Sequence, residues 1–153
     1  MGVCIISQPN FQRPSGKLYL LTPMLNLINN TATRVLLDTI PPDFKDGIED
    51  IVNHRITPGK AGLYLVNSRA YFDLAAADTV YKIEVRENGN VISSDHQQCS
   101  ITNGEVTCEI NFLCHLAHDS YLELWATSVS GNDDVGLHGG PIQVTALSVQ
   151  RVR

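Results

Sequence analysis

Short stretches of this chain alternate between hydrophobic and polar residues. Between Val80 and Arg86, for example, Tyr81, Ile83 and Val85 fall on one side of an extended chain, and the charged residues fall on the other. No long stretch shows the 3.6-residue period of an amphipathic helix. Turn-forming residues interrupt the pattern at Pro41-Pro42, Pro58-Gly59, Asn88-Gly89, Asn103-Gly104 and Gly139-Gly140-Pro141. The pattern therefore predicts an all-β fold, a two-sheet antiparallel sandwich.

Two hairpins account for four of the expected strands. The others are expected at Lys17 to Leu21, Ala32 to Ile40, Gly62 to Phe72, Ser120 to Ser128 and Ile142 to Val152. Residues 1–16 show little periodicity and are expected to form an extended N-terminal arm, followed by a domain over residues 17–153. Two alternatives stay open for the arm: a frayed terminus, or a segment that orders on a partner.

The first hairpin is centred on Asn88-Gly89, a pair typical of a two-residue type I′ turn. This turn predicts Glu87 opposite Asn90 and Val85 opposite Ile92. Tyr81, Ile83, Val85 and Ile92 would then share one face of the hairpin.

A second hairpin is expected around Asn103-Gly104, and it makes Cys99 and Cys108 cross-strand neighbours. That pair would be of the non-hydrogen-bonded type, in which the two α-carbons approach closely enough for a disulfide. The alternation also places Cys108 and Cys114 on the apolar face, where reduced thiols pack as small hydrophobic groups. Both states, reduced thiols and a Cys99–Cys108 bridge, stay open.

Composition limits the class of protein. The chain has 153 residues, of which 43% are hydrophobic and 18% charged, as expected for one globular domain. Its formal net charge is -5, and it has no basic run, which argues against a nucleic-acid partner. The first residues lack the basic and apolar regions of a signal peptide or a membrane span, so we expect synthesis in a cytoplasm and no membrane partner.

The sequence contains few residues in a pattern typical of a chemical site. Five histidines and four cysteines supply potential ligands, but the paired Cys-x2-Cys spacing of a structural zinc site is absent from the sequence. The acidic turn at Gly131 to Asp134 does not have the spacing of an EF-hand loop. The sequence also lacks a phosphate-binding glycine loop, a Gly-x-Ser-x-Gly elbow and a His-Glu-x-x-His motif. We therefore expect no enzyme activity, no metal and no cofactor.

One predicted strand is apolar on both faces. Tyr121 and Trp125 share a face with Glu123, whereas Leu122 and Leu124 occupy the opposite face. Such a strand is either covered on both sides within the sandwich or buried in a subunit contact.

Four segments together resemble a known domain. They are Arg34 to Thr39 as an early strand, Ile56 to Val66 with a proline followed by Gly-x-Tyr, Tyr81 to Gly89 as a central hairpin, and Asp119 to Trp125 as a late strand. With the closing strand from Gln143 to Val152, they resemble the jelly-roll domain shared by tumour necrosis factor and the globular head of the first complement component. The resemblance spans residues 34–152 and implies a jelly-roll sandwich that forms a compact trimer.

The resemblance also implies roles for particular residues. Tyr64 and Tyr121 would contribute to the trimer interface near the threefold axis. Small proteins of this design look like the decoration, or cement, proteins of tailed-phage heads, whose partner is the major capsid protein and whose location is the capsid surface of the virion. Phe11, Arg13 and Tyr19 would then be the capsid-binding residues of the arm: an aromatic anchor, a cation and a second aromatic.

A second function stays open. The chain would be the receptor-binding or glycan-binding head of a tail fibre or spike, with an aromatic-lined pocket near Trp125 and the segment from Gly131 to Gly140.

Overall fold

The computed structural model describes residues 14–44, 47–75, 79–100, 104–129, 135–142 and 145–152. All its regular elements in these ranges are strands, as the alternating pattern predicts. They are β1 (Ser15–Tyr19), β2 (Thr33–Arg34), β3 (Glu49–Asp50), β4 (Arg55–Ile56), β5 (Gly62–Ala75), β6 (Thr79–Glu87), β7 (Asn90–Cys99), β8 (Gly104–Leu116), β9 (Leu122–Val129), β10 (Gly136–Leu137) and β11 (Ala146–Arg151).

The strands form two antiparallel sheets, here called sheet A and sheet B. In sheet A the order is β1, β11, β5, and both β8 and β10 pair with β5. In sheet B the order is β3, β4, β9, β6, β7, and β2 pairs with β9. Neighbours in each sheet are mostly distant in sequence, as in a jelly roll, because the chain crosses repeatedly from one sheet to the other. The expected two-sheet jelly-roll sandwich is confirmed.

The core lies between the two sheets and is built from alternate residues of the long strands. In β6 the buried hydrophobic residues are Tyr81, Ile83 and Val85, as the alternation predicts. Phe72 of β5 packs against Tyr81, with ring centroids 5.0 Å apart. Burial of these large side chains is the main stabilising contribution to a fold of this kind.

The first hairpin forms around the expected turn. Asn88 and Gly89 have φ angles of 50° and 83°, as a type I′ turn requires, and Glu87 lies opposite Asn90. A bulge between Val85 and Arg86 then shifts the register, so that Val85 faces Ser93 and not Ile92. Ile92 is partly buried and still packs against the core.

The prediction of a second hairpin, in which Cys99 lies opposite Cys108, is wrong. Cys99 at the end of β7 lies opposite Thr79 in sheet B, whereas Cys108 of β8 lies opposite Ala70 in sheet A. The chain passes from one sheet to the other between these strands, and residues 101–103 of the expected turn lie outside the described residues. Both cysteines are buried thiols, so the structure corrects the cross-strand pair and agrees with the alternative of reduced thiols in the core.

The N-terminal boundary differs slightly from the expected one. Strand β1 begins at Ser15 and pairs with β11, so the sheet starts two residues before position 17. Phe11 and Arg13 lie outside the described residues. Tyr19 belongs to β1, its backbone N–H donates to Thr39 O at 2.9 Å, and the residue is only 8% exposed. Tyr19 is therefore a covered strand residue and not an arm residue that could anchor a partner.

Candidate interaction surfaces

The first candidate surface is the side of sheet A that faces away from the core, here called the A face. It is formed by alternate residues of β5 and β8, which lie opposite each other in the pairs Leu65–Leu113, Asn67–Asn111, Arg69–Glu109 and Tyr71–Thr107. Leu113 is 58% exposed, although leucine is usually buried. The A face thus combines an apolar pair, of which Leu113 is exposed and Leu65 half-buried, with polar neighbours.

Tyr64 does not lie on the A face. Its side chain is fully buried, and its hydroxyl donates to the carbonyl oxygen of Lys60 at 2.7 Å. Burial raises the pKa of Tyr64 above its usual value. The expectation that Tyr64 contributes to the trimer interface is therefore corrected. Tyr64 lies on the inward side of β5 together with Val66, so it packs inside one copy. The alternation along β5 places the neighbouring Leu65 on the outward side.

Tyr121 lies immediately before β9, at the end of sheet B, and it is half-buried. The guanidinium of Arg55 lies 4.6 Å from the centre of its ring, and Arg55 also pairs with Asp50 at 3.1 Å. The backbone N–H of Tyr121 donates to Asn88 Oδ1 at 3.0 Å. These contacts fix Tyr121 against its own copy and the first hairpin. No ring contact joins Tyr121 to Tyr64 among the described residues.

The second surface is the outward side of sheet B, here called the B face, and it carries an ionic and aromatic network. Glu84 accepts from Lys82 Nζ at 2.6 Å and from Arg86 Nη2 at 2.6 Å. The guanidinium of Arg86 lies 4.1 Å from the centre of the Trp125 ring, a cation–π distance. Burial raises the pKa of Glu84, but the hydrogen bonds from Lys82 and Arg86 outweigh it, so the pKa lies below its usual value.

Trp125 extends this network to β2. Its indole Nε1 donates to Glu123 Oε2 at 3.1 Å, and Arg34 Nη1 binds Glu123 Oε1 at 3.1 Å. Glu84 and Glu123 are only 7% and 6% exposed because the longer side chains cover them. Both carboxylates are therefore neutralised by partners, and Arg86 covers one face of the only tryptophan ring. This arrangement does not offer that face for stacking against a sugar.

The third surface is formed by the segment between β1 and β2 and by Leu36 just after β2, where four large apolar side chains are exposed. We call this set the loop ridge: Leu21 (43% exposed), Leu25 (76%), Ile28 (62%) and Leu36 (42%). Backbone hydrogen bonds hold the segment, from Met24 N–H to Leu137 O at 3.1 Å and from Leu27 N–H to Val135 O at 2.8 Å. The loop ridge is thus a structured apolar surface, of the kind that marks contacts with other proteins.

Asp38 fixes the start of this segment. Its carboxylate accepts from the backbone N–H groups of Leu21 and Thr22 at 2.7 and 3.1 Å. Burial raises the pKa of Asp38, but the hydrogen bonds that its carboxylate accepts lower the pKa by more. The net pKa therefore lies below its usual value. Beside this contact lies a cavity of about 270 Å³ whose lining includes Leu20, Met24 and Leu36.

The described residues contain no group of three or more His, Cys, Asp and Glu side chains placed to hold a metal ion. Within the same ranges, no helix is long and apolar enough to cross a membrane. The sequence reasoning missed the loop ridge, which it assigned partly to strands. It also missed the partners of Trp125, since Arg34 and Arg86 meet it only through sheet pairing.

Comparison with solved structures defines the class of fold. The Eiger TNF of S. frugiperda superposes with a TM-score of 0.70 at 11% identity, over 92% of this chain and 93% of that one. Murine APRIL gives 0.66 at 12% identity, over 92% of this chain and 100% of that one. The globular domain of zebrafish complement 1qA gives 0.64 at 8% identity, over 93% and 98%.

These similarities show a jelly roll of the kind found in TNF-family and complement globular-head domains. No protein-family model matches the sequence, and no curated protein matches it. The resemblance expected from the sequence is therefore confirmed at the level of the fold.

Proposed function

We propose that this chain is a non-enzymatic structural protein that assembles as a trimer and decorates the outer surface of a viral head, where it stabilises the lattice of the major capsid protein. The observation that carries the proposal is the loop ridge, because a structured surface with four exposed apolar side chains favours a permanent protein contact. The jelly-roll fold supports the trimer, which the resemblance implies.

The two sheet faces would have different roles in this assembly. The A face carries the exposed Leu113 and its partner Leu65, and it would form the contact between copies. The B face carries charged groups already neutralised within one copy, and it would remain in solvent. The residues of the loop ridge are not part of the β5–β8 ladder that carries Leu65 and Leu113, so the loop ridge would remain available to the capsid in the trimer.

The mechanism would be physical. A trimer that contacts several coat subunits at once gains from multivalency, since each later contact forms at a high effective concentration. Because such contacts exist only on the assembled lattice, binding stabilises that state over dissociated subunits by mass action. The arm residues Phe11 and Arg13 would add contacts to neighbouring coat subunits.

The test uses purified heads of the virus that encodes this chain, stripped of the protein, and measures its binding by co-sedimentation. We expect the full chain to bind and to raise the temperature at which the heads rupture. Leu25→Asp places a charge on the loop ridge and should weaken binding at least about tenfold, because it buries an unpaired charge in the contact. Val91→Asp is the matched control, since Val91 is also exposed (50%) but lies on the β6–β7 hairpin.

A deletion of residues 1–13 tests the arm and leaves β1 intact, because that strand begins at Ser15. We expect the deletion variant to remain a folded trimer that no longer binds heads. If the full chain does not bind stripped heads, the decoration function is wrong. If Leu25→Asp binds as well as Val91→Asp, the loop ridge is not the capsid contact.

A further inference from the structure

A polar hollow lies in the middle of the A face. Four residues on four neighbouring strands cross the sheet in one row: Lys17 of β1 lies opposite Ser148, Ser148 opposite Asn67, and Asn67 opposite Asn111. In the next row Ala146 separates Tyr19 from Arg69. Because the side chains of Ala146 and Ser148 are small, β11 forms the bottom of a depression between the longer side chains of β1 and β5.

The hollow has a volume of about 200 Å³ and is lined by Lys17, Asn67, Ser68, Arg69, Glu109, Asn111, Ala146 and Ser148. A water molecule in the liquid takes up about 30 Å³, so the hollow has room for a polyatomic ion and some water. Its lining residues include two cations, two side-chain amides and two serine hydroxyls, against a single carboxylate. This is a set of donors for a negatively charged ligand.

We propose that this hollow binds a small oxoanion, with Lys17 and Arg69 supplying positive charge and the amides of Asn67 and Asn111 donating hydrogen bonds. The inference concerns a single copy and does not depend on the proposed function, although the same face would be covered in a trimer. An oxoanion suits the site because its several oxygens accept from several donors at once, and charge-assisted hydrogen bonds of this kind are the strong ones.

The positive charge of Lys17 is the strongest argument for an anion in the hollow. No described carboxylate lies within ion-pair distance of the Lys17 ammonium. Glu109 approaches Arg69 at 3.8 Å, but these side chains are 55% and 44% exposed, so the pair is weak. Partial burial, together with the positive charge of Arg69, lowers the pKa of Lys17. A bound anion would offset both effects.

Inorganic phosphate is the probe, added to protein dialysed into a buffer without oxoanions. We expect calorimetry to show saturable binding, and the side-chain amide resonances of Asn67 and Asn111 to shift. Lys17→Met should weaken phosphate binding at least about tenfold, because a hydrogen bond to a charged group is lost. Ala146→Leu should abolish phosphate binding, because the larger side chain would fill the bottom of the hollow. Lys60→Met is the matched control, since Lys60 is exposed and does not line the hollow.

Chloride at the same ionic strength tells specific binding from screening. The native mass of each sample is measured in parallel, and because a trimer formed through the A face would cover the hollow, binding is also measured on the single-copy variant Leu113→Asp, whose substituted residue does not line the hollow. The inference is wrong if a single-copy sample gives no saturable phosphate signal, if chloride reproduces the shifts, or if Lys17→Met binds as tightly as Lys60→Met in the same background. A single-copy mass of the unmodified protein with intact phosphate binding would overturn the trimer and leave the anion site standing.

Discussion

Leu65 and Leu113 lie directly opposite each other on β5 and β8, on the side of sheet A that faces away from the core. Leu113 is 58% exposed in one copy. An exposed leucine beside a half-buried one on the outward side of a long antiparallel ladder contributes little to the stability of one copy, because water still covers much of the pair. Its position is explained if a second copy covers it.

We therefore expect the purified protein to have a native mass near three times 16.8 kDa. Leu113→Asp should shift the mass to that of one copy, because each contact would then bury an unpaired carboxylate. Analytical ultracentrifugation measures the mass, and circular dichroism checks that the variant is folded. Leu25→Asp is the control: it alters an equally apolar but more exposed residue (76%) on the loop ridge and should remain a trimer. A trimer of Leu113→Asp would rule out the A face as the contact.

Much of the fold could be predicted from the local sequence pattern. The predictions that were wrong also came from local pattern. The alternation Tyr81, Ile83, Val85 and the Asn88-Gly89 turn specify one hairpin, since turn chemistry and the buried face agree. Similar signals around Asn103-Gly104 did not give a hairpin, because an alternating strand fits a neighbour in either sheet. Cys108 therefore pairs with β5, far away in sequence, and not with β7.

The surfaces were harder to predict than the core. The alternation already places Tyr64 on the same side as Val66 and opposite Leu65, yet the resemblance assigned it to the interface. The network around Trp125 joins three strands, so no local pattern contains it. The hollow depends on the small size of Ala146 and Ser148 relative to their cross-strand neighbours, which only the register reveals.

Tyr64→Phe tests the assignment of this residue to the interior of one copy. The substitution removes the hydrogen bond from the Tyr64 hydroxyl to Lys60 O and leaves the ring in place. We expect the free energy of unfolding to fall by about 1 kcal/mol, the usual net value of such a bond. The native mass should not change. Urea denaturation measures the first quantity, and a drop to a single-copy mass would instead return Tyr64 to the interface.

The thiols of the buried Cys108 and the partly buried Cys114 should be unreactive in the folded protein. Burial raises the pKa of Cys108 to about 12 and that of Cys114 to about 11. Because the thiolate is the nucleophile, both should be modified by a thiol reagent at pH 8 at least about a hundredfold more slowly than in urea. A Cys4→Ser background removes the cysteine outside the described residues. Rapid modification of Cys108 under native conditions would contradict its position in the core.

Acid should weaken the fold through Glu84. Its pKa is lower in the folded protein than its usual value of 4.5, because Lys82 and Arg86 stabilise the carboxylate. The unfolded chain therefore takes up the proton first as the pH falls. The stabilisation by Glu84 is fully present above the unfolded pKa, near 4.5, and is lost as the pH falls through the lower, folded pKa.

Glu84→Gln isolates this contribution. At pH 7 we expect the substitution to lower the free energy of unfolding by about 1–3 kcal/mol, since it weakens two charge-assisted hydrogen bonds. The difference between the two proteins should shrink as the pH is lowered from 5 towards 3, because the carboxylate of the unmodified protein becomes protonated as well. Urea denaturation across this range measures it. Glu109→Gln is the control: its pair with Arg69 is exposed, and we expect a change within about 0.5 kcal/mol at every pH. A pH-independent difference for Glu84→Gln would mean that the network stabilises the fold through packing and not through the charge of Glu84.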